Sequence, residues 1–444
     1  MADGRRGAAL DLFRLAAVVL VVANHTSPLV SVSPLWDFWF TRVLARVAVP
    51  FFLMVSGYFL AKDQWRRTGV FLKKTCLLYG AAVLLYLPLN WYNGGYGPAE
   101  GVKKLLLDGT FYHLWYFPGV ILGVLVARGL LRLGPRTALT AAGLLYLVGL
   151  GGDSYYGLTC QLPALEALYG EIFQIFAYTR NGLFFTPLFL LLGAAGVRWS
   201  VRTSAAGLCA AFAAMTAEGL WLHGLQVQRH DSMYMLLPLV MVCLFSLLLG
   251  LNRGERRSCR KFSSLIYVLH PWCIVLVRGA AKVLGLQGLL VESGPGHFAA
   301  VALGSFALAF CVQWAAARLA PVKMPPTARA WREVDLAALC RNAQALMEAL
   351  GGCGLMAVLK ADAYGHGAVK AAKALRRSGV RAFAVATAAE GIALRRALVR
   401  GEVLVLGYTP PEQAHVLRRW RLSQAVADEA HAKALAAAGP RGRV

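Results

Sequence analysis

The chain has 444 residues, with 46 Lys and Arg against 22 Asp and Glu for a net charge of +24, 58% hydrophobic residues and only 15% charged ones. Soluble domains carry about 25% charged residues, so a single water-soluble globule is excluded, and a mean hydropathy of +0.55 agrees. The basic residues flank apolar runs instead of clustering on one face, which argues against nucleic-acid binding. The nine cysteines are scattered without a C-x-x-C, which argues against a disulfide framework or a zinc site, and most are expected to be small buried apolar residues.

About ten apolar segments near 20 residues long, the length that spans a bilayer as a helix, are predicted in the first 319 residues. Their cores are 11–30, 43–61, 71–91, 113–131, 137–152, 182–197, 204–222, 234–251, 264–284 and 298–319. The segment 137–152 is the weakest, being short and Gly-rich. The first is not read as a cleavable signal peptide, because it contains Arg14 and His25 and no clean small-residue cleavage site follows.

Every second loop is basic. Arg5 and Arg6 precede the first segment, Lys62 to Lys74 follow the second, Arg128 to Arg136 the fourth, Arg198 and Arg202 the sixth, Arg253 to Lys261 the eighth, and Arg318 and Lys323 the tenth. Lys and Arg accumulate on the cytoplasmic side in short loops, so a multi-pass plasma-membrane unit with both ends cytoplasmic is expected over 1–320.

Residues 321–329, with Pro321, Pro325 and Pro326, are expected to be a stiff linker, since proline fixes φ and removes a donor. From 330 to 444 the composition becomes that of a soluble domain. Apolar runs alternate with helical stretches: 355–359 then 368–378, 382–386 then 389–398, 403–406 then 411–419. That rhythm predicts a parallel α/β fold.

The stretch Met356-Ala-Val-Leu-Lys-Ala-Asp-Ala-Tyr-Gly-His-Gly367 is the most specific in the chain. It places Lys360 at the C-terminal end of a strand, where barrel enzymes put their chemistry. In an apolar site a lysine loses its proton more readily, and the neutral amine can form an imine with an aldehyde such as pyridoxal phosphate. The plainer alternative is a lysine that merely caps a strand.

Together with 330–339, Asn342, 381–387, Glu390-Gly-Ile-Ala-Leu-Arg395 and 403–409, this motif resembles the opening of an alanine racemase, block after block in order. The resemblance implies a partial (β/α)8 barrel and pyridoxal 5'-phosphate as cofactor. It implies that Lys360 bonds the cofactor and acts as one of two racemising acid/bases, that Tyr364 supports the cofactor near its phosphate and that Leu406 lines its pocket. Asp362 and His366 are expected to have local structural roles. A closed barrel needs about 250 residues and only 120 follow residue 324, so the second catalytic tyrosine, the arginine facing the pyridine nitrogen and the histidine packing on the ring are missing. The chain is therefore expected to be a fragment of a longer product, inactive by itself.

Ionisable residues inside apolar spans are functional candidates. Arg14 and His25 are 11 positions apart, close to three helical turns, so both are expected on one face about 16 Å apart. The ordinary alternative is a snorkelling arginine and a satisfied core histidine. With Asp11, Pro50–Tyr58, His113-Leu-Trp-Tyr-Phe117, Arg180–Pro187 and Tyr267-Val-Leu-His-Pro271, they resemble the acyltransferase-3 family of membrane O-acyltransferases. That resemblance implies that Arg14 and His25 form an acyl-transferring pair, with His25 the acid/base, and an acyl-CoA donor.

The fusion of both modules resembles the membrane-bound serine/alanine racemases of vancomycin-resistance clusters. It implies a racemase converting L-serine or L-alanine to the D-form for peptidoglycan precursors, a small amino acid and the lipid bilayer as partners, no nucleic acid, and a homodimer when complete. The alternatives are a membrane O-acyltransferase acting on a cell-envelope acceptor, and a membrane half that only anchors or takes up L-serine.

Overall fold

The structure, a computed structural model, describes residues 5–251, 255–257, 259–319 and 332–438. The linker expected over 321–329 lies outside the described residues. The chain divides into two compact units, 1–320 and 321–444.

The first unit is helical. Its principal helices are α1 (Ala8–Thr26), α2 (Ala48–Lys62), α3 (Thr68–Tyr92), α4 (Tyr116–Leu130), α5 (Pro135–Gly151), α6 (Thr186–Ala195), α7 (Val201–Leu225), α8 (Leu237–Gly250), α9 (Arg260–Leu284) and α10 (Gly294–Leu319). One falls on each predicted segment. Among the described residues, seven helical stretches are long and apolar enough to cross a membrane. The exceptions are α5, α6 and α8, with 17, 10 and 14 residues. At 1.5 Å per residue they are roughly 26, 15 and 21 Å long, short of a hydrocarbon core of about 30 Å. The apolar pattern thus found the helices and the shortness of α5, but overstated the lengths of α6 and α8.

Local chemistry sets the ends. Pro135 opens α5, its missing N–H being one that the first turn leaves unbonded in any case. The Ser200 hydroxyl accepts from Thr203 N–H to cap α7. Gly196 ends α6 in the left-handed conformation that a Cβ disfavours. Two glycines let α2 and α6 touch backbone to backbone: a Cβ on Gly57 would lie 1.9 Å from the Leu190 carbonyl oxygen, and one on Gly193 would lie 2.1 Å from that of Met54. Phe51, Met54, Phe189, Leu190 and Phe245 fill the core beside them. Leu84, Trp91, Val283, Leu303 and Phe310 are exposed, as befits helix faces turned to lipid. Only Cys243 and Cys273 are buried, whereas Cys76, Cys209, Cys311 and Cys353 are exposed. The expectation that most cysteines are buried therefore fails: Cys76, Cys209 and Cys311 lie on outer faces of apolar helices, and Cys353 lies in a loop of the second unit.

A short strand, β1 (Arg5–Gly7), pairs antiparallel with β2 (Glu255–Arg257) between α8 and α9. The second unit holds β3 (Met356–Val358), β4 (Ala382–Val385), β5 (Glu402–Val405) and β6 (Ser423–Gln424), all parallel and adjacent in chain order. Helices α11 (Leu336–Ala349), α12 (Ala368–Arg377), α13 (Ala388–Arg396), α14 (Ala414–Trp420) and α15 (Glu429–Ala437) alternate with them. The predicted βα rhythm is present, as an open four-stranded sheet among the described residues. Phe383, Val385, Leu394, Val403 and Val405 are fully buried in its core.

Candidate functional site

In the second unit, β3 ends at Val358, and Leu359 N–H donates to the Ala384 carbonyl to hold the strand one residue further. Lys360 follows at the C-terminal end of the sheet. Ala361, Asp362, Ala363 and Tyr364 then all have φ between 53° and 55°, a complete left-handed turn. Such a turn costs L-residues roughly 1–2 kcal/mol each, so it persists only where its surroundings dictate it.

Three side chains do so. Glu390 Oε1 accepts from Ala361 N–H at 2.9 Å, while its Oε2 accepts from Ala386 and Thr387 N–H at 2.8 and 3.3 Å. Thr387 Oγ1 returns the bond by accepting from Glu390 N–H, a capping box for α13. Asp362 Oδ1 accepts from Ala368 N–H at 2.7 Å at the start of α12, and His366 Nδ1 donates to the Ala363 carbonyl at 2.9 Å.

Lys360 is exposed, so the apolar surroundings expected for it are not formed by the described residues. Its Nζ lies 6.0 Å from the Tyr364 ring centre and has no ion pair among the described residues. Leu406 directly follows β5, and its N–H donates to the Val385 carbonyl. Lys360, Tyr364 and Leu406 therefore share one end of the sheet.

In the first unit, Arg14 is buried and pairs through Nε with Asp11 Oδ1 at 3.1 Å, three residues earlier on α1. His25, near the end of the same helix, lines a cavity that Arg14 does not reach. His25 meets α9 instead. Pro271 has no N–H, so the Tyr267 carbonyl four residues earlier loses its helical partner. His270 Nδ1, 2.8 Å away, donates to that oxygen. His270 Nε2 is then the lone-pair atom, and His25 Nδ1 donates to it at 3.0 Å. This leaves His25 Nε2 with its own lone pair, the state a general base requires. His113 stands edge-on to His270, with ring centres 5.3 Å apart, and the Tyr267 hydroxyl donates to the His113 carbonyl. The structure thus brings His25, His113 and His270 together and leaves Arg14 about three turns away on α1. Sequence reasoning missed Arg46, which lines the same cavity, although it is an ionisable residue inside the predicted segment 43–61.

Two family patterns match. Residues 8–314 match the acyltransferase domain, and residues 334–444 match the N-terminal domain of alanine racemase. An amino-acid racemase of Enterococcus faecalis is 41% identical over 440 residues, covering 94% of this chain and 61% of its own length. A serine/alanine racemase of Enterococcus gallinarum is 36% identical, covering 96% of this chain and 63% of its own. An alanine racemase of Nostoc sp. is 46% identical over 100 residues, 22% of this chain and 26% of that protein. The chain thus spans less than two thirds of the two longer relatives. It belongs to the acyltransferase-domain family over its helical unit and carries, fused behind it, the N-terminal domain of an alanine racemase.

Proposed function

We propose that this chain is the membrane unit and the cofactor-bearing half barrel of a pyridoxal-phosphate-dependent racemase, which converts L-serine or L-alanine to the D-form for peptidoglycan precursors. The observation that carries the proposal is Lys360 at the C-terminal end of the first strand of a parallel sheet, set on a left-handed turn braced by Glu390. The names of the relatives and the racemase-domain match support it.

The residues present suit the cofactor. Lys360 offers an amine without a carboxylate partner among the described residues, and the exposed Tyr364 and Leu406 offer a phenol and a carbon surface at the same sheet end. When bound, pyridoxal phosphate supplies an electron sink for the amino acid's Cα. Lys360 would hold the cofactor and exchange a proton at Cα on one face, Tyr364 would support it near the phosphate, and Leu406 would line its pocket. Racemisation needs a second proton donor on the opposite face. In this reading that group comes from the length of the relatives that the chain does not cover, as does the contact surface of a homodimer.

The same reading takes residues 1–320 as the membrane domain, 321–329 as linker and 330–444 as the racemase half, with both ends cytoplasmic. Pairing of β1 with β2 supports a common side for the basic N-terminus and the basic loop before α9. Arg14 and His25 are retained as an acyl-transfer pair only in the alternative O-acyltransferase reading, which the geometry favours less. His25 lines a cavity that Arg14 does not reach, so the two are not placed as a pair.

The test uses the complete protein extracted from membranes. Lys360→Ala is expected to lose the cofactor's visible absorbance and the interconversion of serine and alanine enantiomers while still inserting in the membrane. Retained racemisation in that variant would overturn the proposal.

A further inference from the structure

The cavity beside His25 is built like a site for a small anion. Asn24, His25, Arg46, His113, Trp115 and Arg180 line it. Arg46 Nε and Nη2, Arg180 Nε, Asn24 Oδ1 and both ring nitrogens of His113 are buried there without a hydrogen-bond partner. Buried polar groups are almost always bonded, and a buried charge without a partner is destabilising by itself. Six such atoms converging on one space point to a ligand that satisfies them.

The charges give its sign. Neither Arg46 nor Arg180 forms an ion pair among the described residues, although the Arg180 guanidinium lies over the Trp115 and Tyr178 rings at 4.8 and 5.0 Å. The nearby Asp153 is only half engaged: its Oδ1 accepts from Ser232 N–H, Met233 N–H and the Ser154 hydroxyl at 2.7, 2.9 and 3.0 Å, while its Oδ2 is buried 3.9 Å from His230 Nδ1 without a hydrogen bond. Arg42, Arg46, Arg180 and Arg229 outnumber Asp153 and Asp231 around the cavity, leaving the surroundings net positive. That balance suits an anion.

Volume gives its size. At roughly 10–15 Å³ per water-sized group, about 40 Å³ holds a carboxylate group, with the rest of a small ligand directed to the open side of the cavity.

We propose that this cavity binds a small monocarboxylate, whose oxygens accept from Arg46 and Arg180. Arginine's planar fork matches a carboxylate, and His25, fixed by His270, stands in the same wall as a proton acceptor. The proposal does not rest on the racemase reading, because it concerns residues of the first unit alone.

The experiment measures equilibrium binding of radiolabelled propionate, alanine and inorganic phosphate to the whole chain in lipid nanodiscs. Propionate lacks an amine, so it cannot react at a cofactor on Lys360, and failure here is separable from failure of the racemase reading. Saturable one-to-one binding of propionate is expected, weakened at least tenfold in Arg46→Gln and in Arg180→Gln. Because those variants could fail to fold, the unsubstituted chain is also treated with phenylglyoxal, and propionate should slow modification of Arg46 and Arg180 as read by mass spectrometry. No saturable binding, a preference for phosphate over propionate, or absence of protection at both arginines would overturn the proposal.

Discussion

Replacing Glu390 with alanine tests whether the turn after Lys360 is imposed by its surroundings. One carboxylate accepts three backbone N–H groups, from Ala361, Ala386 and Thr387. Hydrogen bonds to a charged group contribute about 1.5–3 kcal/mol each when buried and less when partly exposed, as these are. A loss of about 2–3 kcal/mol is therefore expected, against a left-handed turn that itself costs roughly 4–8 kcal/mol over four residues. Ala361 N–H would have no acceptor, and the turn would open more often. At about 1.4 kcal/mol per tenfold, amide exchange across 359–367 should accelerate roughly 30- to 160-fold, measured by mass spectrometry on the whole chain. Glu390→Gln, which keeps one acceptor oxygen, should fall between. Exchange in Glu390→Ala within threefold of the unsubstituted chain would refute the idea that this carboxylate holds the turn.

Two other substitutions probe packing and capping. Gly57→Ala places a Cβ against the Leu190 carbonyl and should lower stability by about 3 kcal/mol. Gly80→Ala on α3, where nothing lies within 4 Å, should be neutral or stabilising by up to about 1 kcal/mol; equal melting temperatures for the two would contradict the close approach of α2 and α6. Asp335 caps α11, and the N–H groups of Ala338 and Ala337 hold its carboxyl below the ordinary carboxylate range. Its folded value is depressed, so its contribution is complete above the unfolded value of about 3.9 and is lost as pH falls through the lower folded value. Circular dichroism from about pH 5 downward should show that loss of helix, and Asp335→Asn should remove this component of it.

Much of this was readable in the sequence because the signals are local. Apolar runs located each membrane helix, and alternating runs located the parallel sheet, since both depend on a chemical type repeated along a few turns. The lengths of α6 and α8 were not readable, because an apolar loop and an apolar helix end have the same composition, whereas the shortness of α5 was. The Lys360 motif was legible as residues, but its left-handed backbone was not: it depends on Glu390, 30 residues later and joined only through the sheet. His25 stood out as an ionisable group in an apolar run. Its partner His270 could be placed only once α1 and α9 were side by side, although the His-Pro pair already implied a carbonyl released at Tyr267. Arg46 met the same criterion, an ionisable group inside the predicted span 43–61, but its importance shows only in three dimensions, where its Nε and Nη2 are buried without a partner.

The sheet order β3-β4-β5-β6 has a consequence for biosynthesis. Each strand is hydrogen-bonded to the one translated just before it, with one helix emerging in between, so the ribosome delivers pieces in the order in which they assemble. A nascent chain can complete one strand–helix step and offer a fresh edge before the next strand leaves the exit tunnel. Contacts stay short in sequence, closing them costs little chain entropy, and growth is directional, much as a zipper closes from one end.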